Sequence, residues 1–224
     1  MTTSGTFNFS LDIDEVIQEA TEMIGGEITL GHEPKSARRS INLMLQDWQN
    51  RGILLWTADT TTVSVSTSVT AYDLGPTVVD VLETTLKRNN IDIQLERISM
   101  EEYAIIPNKG QTGRPSQYAV RRNRNDVTVY VWPIPENNTD VLNFEKVRYL
   151  EDVTKSAIQT ADISRRFLPC LTAGLAYQLS LKRPGVEGGR IQFLKAEYEE
   201  RLARAMEEDR ERASLKLVPK LRIL

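Results

Sequence analysis

The chain has 224 residues, 40% of them hydrophobic and 26% charged, and 28 Lys and Arg against 31 Asp and Glu give a net charge of −3. This is the composition of a globular protein with room for one large domain or two small ones, and so mild a charge excludes bulk electrostatic affinity for DNA or an acidic membrane. A single cysteine, Cys170, excludes an internal disulfide and fits a chain made in a reducing cytoplasm.

The opening stretch MTTSGTFNFSLDIDE has no basic region followed by an apolar core, so no secretory signal is expected there. No apolar run approaches the ~20 residues that cross a bilayer, so no membrane anchor is expected either. Charge is unevenly placed. Residues 1–58 carry four basic and eight acidic groups, residues 59–160 eleven and fourteen, and residues 161–224 thirteen and nine. The C-terminal part is therefore the one suited to an acidic partner surface.

A first helix is predicted from Ser10 or Asp12 to Gly25-Gly26. Asp12, Asp14 and Glu15 fill its first turn, and Ile13, Val16, Ile17, Ala20 and Ile24 form its apolar stripe. A second helix opens at Pro34 and stops at Gly52, with Ala37, Ile41, Met44, Leu45 and Trp48 on one face. From residue 59 the period changes to two: TTVSVST reads as a strand, and Asn89-Asn90 reads as a hairpin turn whose return strand alternates Ile91, Ile93 and Leu95 with polar residues. Ser99 and Glu102 make a capping box for a short helix ended by Pro107. A second ribbon, GRPSQYAVRRNRNDVTVYVWPIP, carries Arg121, Arg122 and Arg124 at its turn, and TDVLNFEKVRYL adds a further strand.

Helix returns after Asp162, taken as its N-cap. Phe167, Leu171, Leu175, Ala176 and Leu179 share one face, Lys182 and Arg183 lie in the last turn, and Pro184-Gly185 breaks the helix. A long helix follows from about Arg190 to Ala213, striped by Ile191, Leu194, Tyr198, Leu202, Ala205 and Met206. Its exposed side is supported by the pairs Glu197–Arg201, Glu200–Arg204 and Glu208–Arg212. The end of the chain, LKLVPKLRIL, is apolar and basic at once.

The predicted fold class is α+β: a helical bundle built from both chain ends (1–58 and 160–213), an inserted small antiparallel β lobe (59–159), a long C-terminal helix and an extended tail (214–224).

Catalytic patterns are scarce. The glycine pairs at 25–26 and 188–189 lack the context of a phosphate loop, and one His32 with one Cys170 cannot supply a metal shell, so no cofactor is expected. Cys170 reads as a small core residue. A carboxylate pair for glycoside hydrolysis is not singled out, since Glu101-Glu102 is explained by the capping box. Arg121, Arg122 and Arg124 could meet phosphate while Tyr118 or Trp132 stacks on bases, but the strand pattern turns Tyr118, Val120 and Val127 through Val131 inward, which makes the ribbon scaffold.

Three stretches in order, SARRSINLMLQDWQNRGILLWT, GRPSQYAV…VTVYVWPIP and RRFLPCLTAGLAYQLSLKRPG…RIQFLKAEYEERLARAMEEDRE, resemble the head-to-tail adaptor proteins of short-tailed bacteriophages, of the tail-tubular-protein-A or tail-accessory type. The resemblance implies a non-enzymatic virion protein at the head–tail junction. It implies a ring, typically of twelve copies, below the portal protein and above the tail nozzle protein, with genomic DNA crossing its channel without sequence readout. It also implies portal contact through the tail, residues Leu215, Lys216, Leu217, Val218, Lys220, Leu221, Arg222, Ile223 and Leu224. Arg121, Arg122 and Arg124 would face ring neighbours or the channel. A peptidoglycan hydrolase and a nucleic-acid-binding module are the alternatives from other classes.

Overall fold

The computed structural model describes residues 9–26, 33–52, 55–154 and 159–209. The tail from 214 onward, His32, the Glu208–Arg212 pair and the expected extension of the last helix to Ala213 lie outside these residues. The described fold is mixed α+β, and the chain divides into two compact units, Met1–Ile53 with Asp152–Leu224, and Leu54–Glu151.

In the first unit, α1 (Ile13–Ile24) starts at a capping box. Asp12 accepts from the Glu15 amide at 2.7 Å, and Glu15 accepts from the Asp12 amide at 2.9 Å. The helix ends at Gly25, whose φ of 85° lets the chain turn left-handed. Helix α2 (Glu33–Asn50) buries the whole predicted stripe from Ala37 to Trp48. The next helix in this unit departs from the sequence reading. Asp162 does not cap it: a 3-10 turn at Arg165–Phe167 leads into α4 (Leu168–Ser180), and Pro169 occupies the first turn, where no amide is needed. Lys182 and Arg183 therefore sit in the turn beyond the helix rather than in its last turn. Nor is α4 one-faced: Cys170 through Ala176 are all buried, because α1, α2 and α5 (Gly188–Glu208) cover it from separate sides.

Close approach is what makes that burial possible. A Cβ on Gly174 would lie 2.5 Å from Met44 Sδ and 2.8 Å from the Tyr198 ring, so only a hydrogen fits between the three helices. Beside this contact Trp48 Nε1 donates to Tyr198 Oη at 2.9 Å, satisfying the polar atoms of two buried aromatics at once. On α5, Leu194, Tyr198, Leu202 and Ala205 are buried as predicted, whereas Met206 is exposed. Arg201 donates to Glu197 at 2.6 Å, and Arg204 pairs with Glu200.

The second unit contains α3 (Met100–Ile105), capped by the predicted Ser99–Glu102 box, and ten described strands. One sheet runs β1 (Ala58–Ser64), β10 (Val141–Arg148), β3 (Val78–Arg88), β4 (Ile91–Gln94), all antiparallel. The other runs β2 (Ala71–Asp73), β8 (Val127–Trp132), β7 (Gln117–Arg122), β5 (Glu96–Ile98). A third pairing joins β6 (Thr112–Gly113) to β9 (Ile134–Pro135). The β5–β7 and β6–β9 pairs are parallel, so the lobe is not purely antiparallel. Asn89 and Asn90 both take positive φ at the β3–β4 turn, as a two-residue hairpin requires. Ile91 is 64% exposed: at the start of an edge strand, alternation alone did not bury it. One core, with Val81, Leu86, Leu142 and Phe144 from the first sheet and Tyr72, Tyr118, Val129 and Val131 from the second, fills the space between the two faces.

A buried ion pair ties the β3–β4 hairpin down. Arg88 Nε donates to Asp140 at 2.8 Å and Nη1 to Glu136 at 2.9 Å, while the Asp140 side chain is 3% exposed. Removing the arginine would strand that carboxylate. Arg88→Met is expected to cost about 3 kcal/mol, at the low end for breaking a buried pair because Glu136 and part of Arg88 meet solvent; the denaturant midpoint measures it. Gly174→Ala is expected to cost roughly 1–3 kcal/mol through overpacking. An unchanged midpoint would show that the three helices do not meet as closely as described.

Candidate interaction surfaces

The ribbon formed by β7 and β8 turns one face into the core of the unit, and Ala119 on the other face is buried as well. Tyr118, Val127, Val129 and Val131 are buried, and Val120 packs against the same core while half-buried. The turn is closed by Asn123: its amide donates to the Asp126 carbonyl at 2.9 Å, and its side chain donates to Asp126 and to Thr128. Arg121, Arg122 and Arg124 are consequently exposed at the tip. Arg122 lies 4.0 Å from Asp80, which Arg97 also contacts at 3.1 Å. The aromatics that would have to stack on bases are committed elsewhere. Tyr118 Oη donates to the Leu82 carbonyl at 3.2 Å, and Trp132 Nε1 donates to the Asn108 carbonyl at 3.1 Å. The tip offers positive charge without a stacking platform.

A second basic surface belongs to the helical unit. Ser36, Arg39 and Ser40 of α2 face the turn after α4, from which Lys182 Nζ donates to Ser40 Oγ at 2.5 Å. Sequence reading placed Lys182 only as a helix-end cation; the serine spacing in SARRS was the available signal. Near by, Arg190 donates to the Met23 carbonyl at the end of α1, at 2.5 Å. An open cavity of about 610 Å³ lies there, lined by Ile24, Gly26, Arg183, Val186 and Arg190 among others. Apolar side chains are exposed on the same unit: Leu43 on α2, Leu181 after α4 and Phe193 on α5.

Groups suited to chemistry are differently placed. Burial pushes the Cys170 thiol up to about 12, and its Sγ donates to the Phe167 carbonyl at 3.0 Å. Among the described residues no cluster of His, Cys, Asp and Glu is arranged to hold a metal ion, and no helix is long and apolar enough to cross a membrane. Glu101 and Glu102 fill the first turn of α3, with Glu102 in the capping box.

Two basic patches, one on each unit, and scattered exposed apolar side chains are thus the surface features of the chain's described residues. The chain belongs to the SU10 adaptor protein family, whose family model matches residues 11–220 and so takes in both units. This is a family of phage structural adaptors. No curated protein matches the chain.

The raised thiol pKa has a direct consequence. An unfolded cysteine titrates near 8.5, while the folded thiol stays protonated until about pH 12. At pH 8.5 alkylation of Cys170 is expected to proceed only as fast as the helical unit opens, and to become immediate in denaturant. Rapid labelling of the native chain would contradict the burial described for α4.

Proposed function

We propose that this chain forms the head-to-tail adaptor ring of a short-tailed phage, docking to the portal protein on one side and the tail nozzle protein on the other, with genomic DNA crossing its channel. The observation that carries the reading is the family match across residues 11–220, which leaves neither unit unaccounted for. Exposed Leu43, Leu181 and Phe193 support it, since a ring contact would remove such side chains from water. A ring of about twelve copies, assembled in the host cytoplasm and carried in the virion, is the form proposed.

In this reading the helical segments 1–58 and 160–213 are one domain, 59–159 is a second domain inserted into it, and 214–224 is the portal-contacting tail. Leu215, Leu217, Val218, Leu221, Ile223 and Leu224 would supply apolar contact, and Lys216, Lys220 and Arg222 would supply charge. Arg121, Arg122 and Arg124 face ring neighbours or the channel. Exposed arginines without stacking aromatics suit a surface past which DNA slides, because phosphate contact alone carries no sequence information.

Native mass spectrometry of the full chain, alone and mixed with the matching portal ring, tests the assembly. About twelve copies are expected to add to the portal, and deletion of 214–224 is expected to abolish the addition while leaving the melting temperature unchanged. Reversal of Lys216, Lys220 and Arg222 to glutamate is expected to weaken portal binding and reduce its salt dependence. A chain that ignores the portal would end the adaptor proposal.

A further inference from the structure

Ser36, Arg39 and Ser40 stand at i, i+3 and i+4 on α2 and therefore share one face. Lys182 reaches this face from the turn after α4, with Nζ 2.5 Å from Ser40 Oγ and 3.5 Å from Ser36 Oγ. Ser40 gives its own proton to the Ser36 carbonyl at 3.1 Å, so it can only accept from the lysine. An ammonium has three donors, and these hydroxyls use at most two. Arg39 lies close enough that its charge, after the loss of hydration, helps to hold Lys182 below the usual lysine range.

What sets the cluster apart is that no counter-charge pairs with it among the described residues. In the same unit Arg38 pairs with Asp14, Arg51 with Asp47, Arg166 with Asp209 and Arg201 with Glu197. Among the described residues neither Lys182 nor Arg39 makes an ion pair. Two like charges are thus held together with the Arg39 guanidinium, the Ser36 hydroxyl proton and a lysine N–H unspent. Ser36 also lies in the first turn of an 18-residue helix, where the dipole favours an anion.

We propose that Ser36, Arg39, Ser40 and Lys182 form a binding site for a phosphate-type oxyanion. Free phosphate as the dianion balances both charges and a backbone phosphodiester balances one, and in either the tetrahedral oxygens accept donors arriving from different directions. Ser40 takes part by orienting the lysine. The site stands independently of the adaptor reading. Its phosphate comes either free from solution or from a polynucleotide backbone.

Titration of the full-length chain with inorganic phosphate in chloride buffer, followed by calorimetry and phosphorus NMR, is the test. Saturable binding is expected, weakened at least about tenfold by Lys182→Met or Arg39→Gln, the loss of one charge-assisted contact. Lys195→Met, which removes a lysine paired with Glu199, is expected to leave binding unchanged. Both substituted cations are exposed, so the variants are expected to melt as the wild type does. Duplex DNA separates the two sources. Displacement of bound phosphate, with a salt slope reduced by about one in Lys182→Met, assigns the site to a backbone phosphate. Phosphate binding that DNA leaves untouched assigns it to free phosphate. A wild type without saturable phosphate binding, or variants that bind as well as it does, would overturn the proposal.

Discussion

Helix α4 is covered all round through its middle turns. From Cys170 to Ala176 every residue is buried, and the sequence offers no charged side chain between Leu168 and Leu181. Such a helix needs cover on several sides, and cover comes from α1 and α2 before it in sequence and α5 after it. The requirement brings the two ends of the chain into one unit and leaves the intervening strands to build a core of their own. Gly174 sets how tightly this can happen, because a methyl group there would meet Met44 and Tyr198 inside contact distance.

Such tight packing leaves little tolerance for polar groups without partners, and the helical unit satisfies several by cross-element bonds, while Arg38 Nε, Gln49 Nε2 and Ser164 Oγ are buried without one. Trp48 donates to Tyr198. The Asn42 amide donates to the Val153 carbonyl at 3.2 Å, and its side-chain oxygen accepts from the Val153 amide at 2.8 Å, fastening the returning chain to α2. The amide of Ile13 donates to the Gln159 carbonyl at 2.8 Å. Residues that re-enter the unit after the strands are therefore held by their main chain as well as by apolar contact. The β unit uses a different device: Arg88 bridges from the end of β3 to Asp140 and Glu136, the acids that precede β10.

Local chemistry was legible where it is self-contained. The two capping boxes, the left-handed asparagines at 89–90, the glycine stops at 25 and 52, and the period-two strands of the ribbon need only neighbours within a few residues, and all appear as the sequence suggests. What failed depends on distant partners. Asp162 has the right character for a cap, but the chain takes a 3-10 turn first and starts α4 at Leu168, with Pro169 in the first turn. The all-round burial of α4 looked like a single stripe, because periodicity reports one covered face and not three. The parallel β5–β7 and β6–β9 pairs join segments of two or three residues at one partner, too short to carry a pattern. The candidate surfaces divide the same way. Arginines at a hairpin tip can be read from a turn, whereas the approach of Lys182 to Ser40, across 142 positions, cannot.

The contrast between the two basic surfaces follows from how each spends its donors. At the ribbon tip Arg122 already leans on Asp80, and Asp80 also holds Arg97, so part of the charge there is spent within the sheet. Asn123 closes the turn beneath these side chains. Beside α2 the arrangement is inverted: Lys182 is anchored by a buried serine, while its charge stays unspent. Anchored and uncompensated donors favour one ligand geometry, because little ordering remains to be done when the ligand arrives. Solvated arginines on a fixed turn favour none.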